Sequence, residues 1–176
     1  VVMYVGKVAE VGPTDVIFDT PHHPYTKALL GASPDLEDDR SQFRGLEGSV
    51  PDPARPPQGC RFHTRCPVAT PVCGWDVDDV VLRLQDEPGL FDKVDGVEHR
   101  GPFDADLRFG DPAAAIRLVA LIESDRVPAA MREAVEVLSM NDRTVSIKFH
   151  EVDEVELTRR GPGHLAACVL GEQAST

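Results

Sequence analysis

A chain of 176 residues has room for one domain of ordinary size or for two small ones. Its apolar fraction of 41% can support a core, while 14 glycines and 15 prolines predict many turns. The net charge of −12 argues against a nucleic-acid-binding or anionic-membrane surface, since either would need a basic footprint.

The sequence contains no apolar run of the length of a membrane span, and no charged-then-apolar signal peptide opens it. It begins at Val1, inside an apolar run that is typical of a buried strand. We therefore expect a fragment of a longer protein. Without a secretion signal, the four cysteines are expected to serve a metal or cluster rather than two disulfides.

The chain opens on a predicted β-hairpin. Val1–Val5 is an apolar run with β-branched residues, and Val8–Val11 returns after Gly6-Lys7, where the turn is expected. Alternation in the second run indicates that one of its faces is buried.

Two short helices are expected next. Thr14 is a candidate N-cap for the first helix, which Pro21 ends. Pro24 is well placed as the first residue of the second helix. The polar and acidic segment 34–43 is expected to be an exposed connector.

Residues 76–160 predict a small acidic α+β unit. We expect Val135 and Leu138 on the apolar face of its last helix, and a turn-rich stretch over 88–102. Its predicted elements are a helix capped by Asp76, a strand over 103–109, helices that begin at Pro112 and Pro128, and antiparallel strands over Val145–Phe149 and Val152–Leu157.

Three of the four cysteines lie close together, in or just after the segment Gly59–Pro67. They are Cys60, Cys66 and Cys73, and the fourth, Cys168, lies near the C-terminus. Because the segment is rich in proline and begins with glycine, it is expected to be an irregular loop. The pattern predicts a four-thiolate site that fixes the C-terminal tail to this loop.

The surroundings of the cysteines bear on the kind of metal. Arg61, His63 and Arg65 lie inside the loop and can offset the negative charge of thiolate ligands. The gaps of five and six residues between successive cysteines of the loop exceed the about two to four that zinc knuckles favour. The spacing favours a four-iron (4Fe–4S) cluster and leaves zinc as the alternative.

The histidines are expected to serve structure. No partner acid or nucleophile is evident near His22-His23-Pro24-Tyr25, so we expect a helix start at which Tyr25 packs and a histidine caps or bonds locally. His63 and His164 lie within a few residues of a cysteine, and we expect each to donate a hydrogen bond to a cluster sulfur or to pack. No catalytic residue is predicted.

Four stretches, Val2–Pro13, His23–Leu30, Gly59–Pro67 and His164–Leu170, occur in the order of one known family. Together they resemble the C-terminal part of the ATP-binding subunits of oligopeptide/dipeptide ABC importers. The first is similar to the hairpin after the switch-histidine loop, the second to the His-Pro-Tyr helix, and the third to the cysteine-rich extension. The fourth is similar to the closing segment.

The resemblance implies a cytoplasmic protein at the inner face of the membrane, with a second ATPase subunit and membrane permease subunits as partners. It implies no nucleic-acid partner and no membrane span of its own. In family members that keep all four cysteines, these residues are associated with an iron–sulfur cluster. The matching positions here are Cys60, Cys66, Cys73 and Cys168.

The sequence departs from the family pattern in its second half. There, 94 residues lie between Cys73 and Cys168, which the family places close together. We therefore expect an organisation into residues 1–75, an inserted α+β unit over 76–160, and a closing segment over 161–176.

The second departure concerns ATP. No Gly-x-x-x-x-Gly-Lys-Ser/Thr loop and no LSGGQ-like signature occurs in the chain, since Gly6-Lys7 is followed by Val8. We expect no ATP hydrolysis by this fragment alone, and ATP and Mg²⁺ are assigned to an upstream domain.

The alternative from another class is a stand-alone metal- or cluster-binding interaction module unrelated to transport. An enzyme hosted by residues 76–160 is less favoured, because no nucleophile–base pair is evident there.

Overall fold

The computed structural model describes residues 1–32, 46, 48–87 and 89–170, so the predicted connector over 34–43 lies outside the described residues. The chain forms two compact units. The first comprises Val1–Pro56, Cys60–Ala69 and Glu154–Thr176, and the second comprises Pro57–Gly59 and Thr70–Asp153. Each unit contains one antiparallel sheet together with helices, which confirms the predicted α+β class.

The sheet of the first unit joins the start of the chain to its end. Its strands are β1 (Val2–Tyr4), β2 (Lys7–Val11), β7 (Thr158–Gly161) and β8 (His164–Ala166), in the spatial order β1-β2-β8-β7. All neighbours are antiparallel, and Glu10 of β2 lies opposite Ala166 of β8. The closing strands therefore complete a sheet that the opening hairpin begins.

The opening hairpin is confirmed, with its turn one residue earlier than expected. Val5 and Gly6 form the turn, with φ angles of 45° and 78°. Positive φ at both central positions is typical of the type I′ hairpin turn, whose twist matches that of the flanking strands. Positive φ is unfavourable for a β-branched residue, so the backbone at Val5 is strained. The Arg61 side chain donates a hydrogen bond to the Val5 carbonyl.

Helices α1 (Thr14–Asp19) and α2 (Pro24–Gly31) follow the hairpin. Pro24 is the first residue of α2, as predicted. The prediction for Thr14 is wrong, because Pro13 takes the N-cap position and Thr14 is already helical. The Pro13 carbonyl accepts the first helical hydrogen bond from Ile17 at 3.0 Å, so the helix begins without a side-chain cap.

The second unit has a four-stranded sheet in the order β3-β4-β6-β5. Asp76 caps its first helix as predicted, in a capping box with Asp79. Asp111 caps the longest helix by accepting a hydrogen bond from the Ala114 amide at 2.8 Å. The elements are α3 (Val77–Gln85), β3 (Val94–Gly101), β4 (Asp104–Phe109), α4 (Pro112–Ile122), α5 (Ala129–Ala134), β5 (Val135–Asn141) and β6 (Thr144–Phe149).

Three expectations for this unit are wrong. Helix α5 ends at Ala134, and Val135 and Leu138 lie in strand β5. A strand, β3, occupies part of the stretch that was expected to be turns. Strand β6 pairs with β4 and β5, and the described residues 150–157 form no strand.

The errors share a physical cause. Both missed strands contain a register irregularity, between Val135 and Val137 in one and at two places in the other, so neither shows a simple alternation of period two. Both are edge strands of the sheet, where side chains are largely exposed and carry little hydrophobic signal.

The core of the second unit is apolar. Alternate residues of the two central strands and one residue of α4 are 0% exposed, namely Ala105, Leu107, Phe109, Val145, Ile147, Phe149 and Leu118. The predicted insertion 76–160 and this unit overlap, whereas β7 belongs to the first unit. Within the described residues, no helix has the length and hydropathy needed to cross a membrane.

Candidate functional site

The first unit is organised around a buried carboxylate. Glu10, in the middle of β2, is 0% exposed. Its carboxylate accepts hydrogen bonds from the backbone amides of His22 at 2.7 Å and His23 at 3.0 Å. The Nε2 atom of His164 lies 2.7 Å from the same carboxylate, and because an ionised carboxylate can only accept, this nitrogen is the donor. Glu10 thus joins the start of α2 to strand β8.

These donors keep Glu10 ionised. Burial by itself would raise the pKa of Glu10, but hydrogen bonding outweighs burial, and the pKa lies below its ordinary value of 4.5. The nearby hydroxyl of Thr26 also lowers the pKa, although no hydrogen bond of normal geometry involves it among the described residues. The three N–H donors of His22, His23 and His164 therefore stabilise the ionised carboxylate.

His23 performs the local role that the sequence predicted. Its Nδ1 atom accepts a hydrogen bond from the Tyr25 amide at 3.1 Å and so caps helix α2. The ring is 2% exposed.

Acidification is expected to destabilise the first unit. Burial lowers the pKa of His23 below its ordinary value of 6.5, more than the nearby Glu10 carboxylate raises it. Burial also lowers the pKa of His22, and the nearby side chains of His164, Arg160 and Lys27 lower it further. His22 is exposed, so solvent screening leaves His23 the larger contribution.

A group whose pKa is lower in the folded than in the unfolded state stabilises the fold at every pH above its unfolded-state pKa. This stabilisation is lost as the pH falls through the folded-state pKa. The free energy of unfolding of the first unit should thus decline below about pH 6.5 through His23, and again below about pH 4.5 through Glu10. Amide exchange of Ala167, whose N–H donates to the Ala9 carbonyl at 2.8 Å, measures this. Constant protection between pH 7 and pH 4 would contradict the expectation.

An aromatic cluster holds the cysteine-rich loop to the hairpin and to α2. Phe62, 1% exposed, has its ring centroid 5.2 Å from those of Tyr4 and Tyr25. The Tyr4 and Tyr25 rings are 4.7 Å apart, and the His23 ring lies 6.0 Å from Phe62. The packing predicted for Tyr25 is therefore confirmed, and Phe62 fixes the turn between Cys60 and Cys66.

The polar residues of the loop support its backbone. His63 is buried, and its Nδ1 atom lies 2.7 Å from the carbonyl of Cys60, to which it must donate. Arg61 binds the carbonyl of Val5 in the hairpin turn. Arg65 donates to the Tyr4 hydroxyl at 3.3 Å and to the Leu46 carbonyl at 3.2 Å. The role of these arginines as counter-charges for thiolates stays a prediction, whereas the structure shows that they brace the backbone.

Cys73 ends a 3₁₀ turn (Pro71–Cys73) of the second unit and is buried. Its sulfur accepts a hydrogen bond from the Thr70 amide at 3.3 Å and lies 3.3 Å from the Thr70 hydroxyl. The indole of Trp75 donates to the Thr70 carbonyl at 2.9 Å. This turn is thus fixed by its own side chains.

Two glycines bring the backbone before Cys60 against the backbone after Cys73. A Cβ atom at Gly59 would lie 2.6 Å from the Cys73 carbonyl oxygen, and one at Gly74 would lie 2.4 Å from the Gln58 carbonyl oxygen. Both glycines have positive φ, 56° and 109°. Only glycine fits at either position, since a side chain would meet backbone atoms in an unfavourable conformation.

Cys168 follows strand β8 and is half-buried. The Arg160 side chain donates to its carbonyl. The amide of Ala167, the residue directly before Cys168, donates to the Ala9 carbonyl at 2.8 Å, so this part of the tail is held against β2.

The predicted ligands are thus placed by separate elements. Cys60, Cys66 and Cys168 belong to the first unit, and Cys73 belongs to the second. Among the residues that the structure describes, no three His, Cys, Asp or Glu side chains are grouped so that they could hold a metal ion. The four-cysteine ligand set therefore stays a prediction.

Sequence reasoning missed Glu10 as the centre of the first unit, and it assigned His164 to a sulfur or to packing. The available signal was a carboxylate among the apolar residues Val8, Ala9 and Val11 of a predicted strand. A buried charge of this kind requires partners, but the sequence does not indicate that one partner lies 154 residues away.

Comparison with known proteins finds a family similarity in the first part of the chain. Residues 9–73 match the family described as the oligopeptide/dipeptide transporter C-terminal region. No solved structure matches the chain significantly.

Three relatives illustrate the match. The chain is 46% identical over 87 residues to a di/tripeptide transport ATP-binding protein of Pseudomonas aeruginosa, covering 49% of this chain and 26% of the relative. It is 53% identical over 72 residues to a putative peptide import ATP-binding protein of Brucella abortus, and the match covers 41% of this chain and 22% of the relative. It is 49% identical over 76 residues to an oligopeptide transport ATP-binding protein of Salmonella typhimurium, and this match also covers 41% of this chain and 22% of the relative.

The chain spans about a quarter of the length of these curated relatives. The matched residues include β2, the His-Pro-Tyr start of α2, and the loop that carries Cys60, Cys66 and Cys73. Among them, β2, the start of α2 and the loop from Cys60 to Cys66 are held together by the buried carboxylate and the aromatic cluster. Residues 9–73 of the chain are thus similar to the oligopeptide/dipeptide transporter C-terminal region.

Proposed function

We propose that this chain is the C-terminal accessory region of the ATP-binding subunit of an importer for dipeptides or oligopeptides. The observation that carries the proposal is the family match over residues 9–73, together with the peptide-transport names of the relatives. Its partners are a second ATP-binding subunit and membrane permease subunits, and its place is the cytoplasmic face of the membrane.

The role proposed for the region is to brace the rest of the subunit and to contribute to subunit contacts. The first unit suits this role, because a buried charge with three donors and a packed aromatic cluster tie together segments that are distant in sequence. Such a network resists local opening better than a surface hairpin would alone.

Peptide uptake tests the proposal. In the organism that carries the gene, deletion of the region should reduce uptake of radiolabelled di- to pentapeptides, and the intact gene should restore it. An allele carrying Glu10→Ala should behave like the deletion, and one carrying the exposed change Glu154→Gln should transport normally. Unchanged peptide uptake in the deletion strain would overturn the proposal.

The isolated chain is expected to bind no nucleotide. The sequence has no Gly-x-x-x-x-Gly-Lys-Ser/Thr loop, and the cradle of backbone amides that such a loop presents to a triphosphate is not replaced by Gly6-Lys7-Val8. Titration calorimetry with magnesium-ATP should show no heat of binding. A site of low-micromolar affinity would contradict this expectation.

We also propose that Cys60, Cys66, Cys73 and Cys168 together hold a four-iron cluster, with zinc as the alternative occupant. Four thiols are the donor set that such a cluster uses, and it would cross-link the segments that carry them. The Gly59–Gly74 contact supports the proposal, because it brings the backbone beside Cys60 against that of Cys73. The Thr70 amide, which donates to the Cys73 sulfur, would stabilise a thiolate there.

Anaerobic purification tests the ligand set. The protein should contain about four iron atoms and four acid-labile sulfides per chain. Serine substitution of any of the four cysteines should lower both contents, whereas Ser124→Ala, outside the site, should leave them unchanged. Stoichiometric zinc would support the alternative occupant, and the absence of any metal in anaerobic protein would overturn the thiolate site.

A further inference from the structure

In the part of the chain that the structure describes, β5 is an edge strand of the sheet in the second unit. The opposite edge strand, β3, is protected as native edge strands commonly are, by charged side chains such as Glu98 and Arg100 and by two register irregularities. After the irregularity at its start, β5 carries neither charge nor proline, and Val137 and Met140 are 45% and 43% exposed. An edge of this kind is a template for a further strand.

The hydrogen bonds at the end of β6 show which of its residues bond each neighbouring strand. The Phe149 amide donates to the Phe103 carbonyl at 2.9 Å, on the side of β4. The next amide, that of His150, donates to the Ala134 carbonyl at 2.9 Å, on the side of β5. Because backbone groups alternate in direction along a strand, the odd-numbered residues of β6 bond β4 and the even-numbered residues bond β5.

This alternation decides which backbone groups of β5 lie at the free edge. Ser146 of β6 lies opposite Ser139 of β5, so the backbone groups of Ser139 point into the sheet. Those of Leu138 and Met140, on either side of Ser139, therefore point away from β6. Among the described residues, no backbone hydrogen bond from a turn or loop reaches either residue. Two N–H and two C=O groups are thus available to a further strand.

The side chains of β5 lie on two chemically different faces. Leu138 and Met140 lie opposite Ile147 and Val145, which are 0% exposed, so they share the face that carries the apolar core. Ser139 is exposed on the other face. A strand that continues the sheet must therefore place apolar side chains on the first face and polar ones on the second.

We propose that β5 pairs in antiparallel fashion with β5 of a second copy of this chain, with the two Ser139 residues opposite each other on a two-fold axis. In this register Leu138 of each copy lies opposite the partner's Met140. These two pairs exchange four hydrogen bonds, which satisfy all the edge groups of Leu138 and Met140 in both copies. The interface is isologous, and it joins two four-stranded sheets into one.

The sequence of the edge supports a second copy as the occupant. Residues 137–141 carry no charge with which to select a charged foreign strand, whereas in antiparallel pairing they complement themselves. A register shifted by two residues, with Leu138 opposite the partner's Leu138, would bring Glu136 and the irregularity before Val137 into the pairing. A shift by one residue would set the apolar face of one copy against the polar face of the other.

Amide exchange of the whole chain at increasing concentration tests the pairing. Where about nine in ten chains are dimeric, the amides of Leu138 and Met140 should exchange about tenfold more slowly than in dilute protein, because only the monomer exposes them. The Ser139 amide, which bonds β6, should change less. Sedimentation should show a monomer–dimer equilibrium, and salt should favour the dimer because each copy carries a net charge of −12.

A charge exchange at the axis tests the register. Ser139→Lys and Ser139→Glu should each remain monomeric, since like charges would lie directly opposite each other, and an equimolar mixture of the two should dimerise. Restoration by mixing cannot come from a folding defect, and Trp75 fluorescence checks that each variant is folded. Ser49→Lys, at an exposed position of the first unit, makes the same change in charge and should dimerise like the unmodified chain.

Three results would overturn the proposal. The first is a chain that stays monomeric at near-millimolar concentration while the Leu138 and Met140 amides exchange freely. The second is protection of both amides at every concentration, which would show that the chain covers its own edge. The third is self-association that persists in both Ser139 variants, which would place the contact elsewhere. None of these results bears on the proposed transport function or on the thiolate site.

Discussion

Glu10→Ala is expected to destabilise the first unit by about 3–5 kcal/mol, the range found when one partner of a buried charged network is removed. The substitution leaves the amides of His22 and His23 and the Nε2–H of His164 in a buried site without an acceptor. It also removes the link between the start of α2 and strand β8. Because a buried donor without a partner costs its full desolvation energy, no rearrangement of apolar side chains can compensate.

Glu10→Gln separates charge from shape. It keeps one acceptor oxygen but turns an NH₂ group towards donors that need an acceptor, so we expect a loss of about 2–3 kcal/mol. The matched control in the same unit is Glu154→Gln, because Glu154 forms an exposed ion pair with Lys7 and should contribute less than about 1 kcal/mol.

The measurement should resolve the two units, since unfolding of a chain with two units need not be a single transition. Urea titrations followed by NMR of the Ala167 and Tyr25 amides report the first unit, and Trp75 fluorescence reports the second. A Glu10→Ala protein whose first unit unfolds at the wild-type urea concentration would show that the carboxylate network contributes no net stability.

Gly74→Ala should produce the second large effect, a loss of about 2–4 kcal/mol from the second unit. The φ angle of 109° is unfavourable for alanine, and the added Cβ would lie 2.4 Å from the Gln58 carbonyl oxygen. The contact is with backbone, so it can be relieved only by separating the two chain segments. The turn that contains Thr70 and Cys73 would move with them.

Gly89→Ala isolates the conformational part of this effect. Gly89 lies in the same unit and also has positive φ, 72°, but a Cβ there would have no atom within 4 Å. Its substitution should cost about 1–2 kcal/mol, the price of a left-handed residue alone. Trp75, buried next to Gly74, provides the fluorescence signal for urea titrations of both variants. Equal losses for the two variants would show that the close backbone approach is not important.

Local rules made much of the fold predictable. The hairpin was indicated by two apolar runs around a glycine turn, and the starts of α2, α3 and α4 by Pro24, Asp76 and Asp111. In each case the signal and the structure that it predicts lie within a few residues of each other. The local capping role of the His-Pro-Tyr start was predictable for the same reason.

Prediction was weaker where a local signal was ambiguous. Val135 and Leu138 suited the apolar face of a helix as well as they suited a strand, and only pairing of β5 with β6 made them a strand. Strand β3 carries mostly exposed residues and depends on its hydrogen bonds to β4 for its conformation. Short edge elements of this kind take their structure from their neighbours.

The sequence by itself indicated the α+β fold and the family similarity over residues 9–73, and it supplied a set of four candidate ligands that stays a prediction. Only the tertiary structure decided that Glu10 is the centre of the first unit, and that the His23 ring lies against Phe62. The reason is physical: a buried carboxylate must find its donors wherever the chain brings them, and here pairing of β2 with β8 brings His164 to it. Sequence spacing does not predict this contact between Glu10 and His164, because the contact depends on the pairing of β2 with β8.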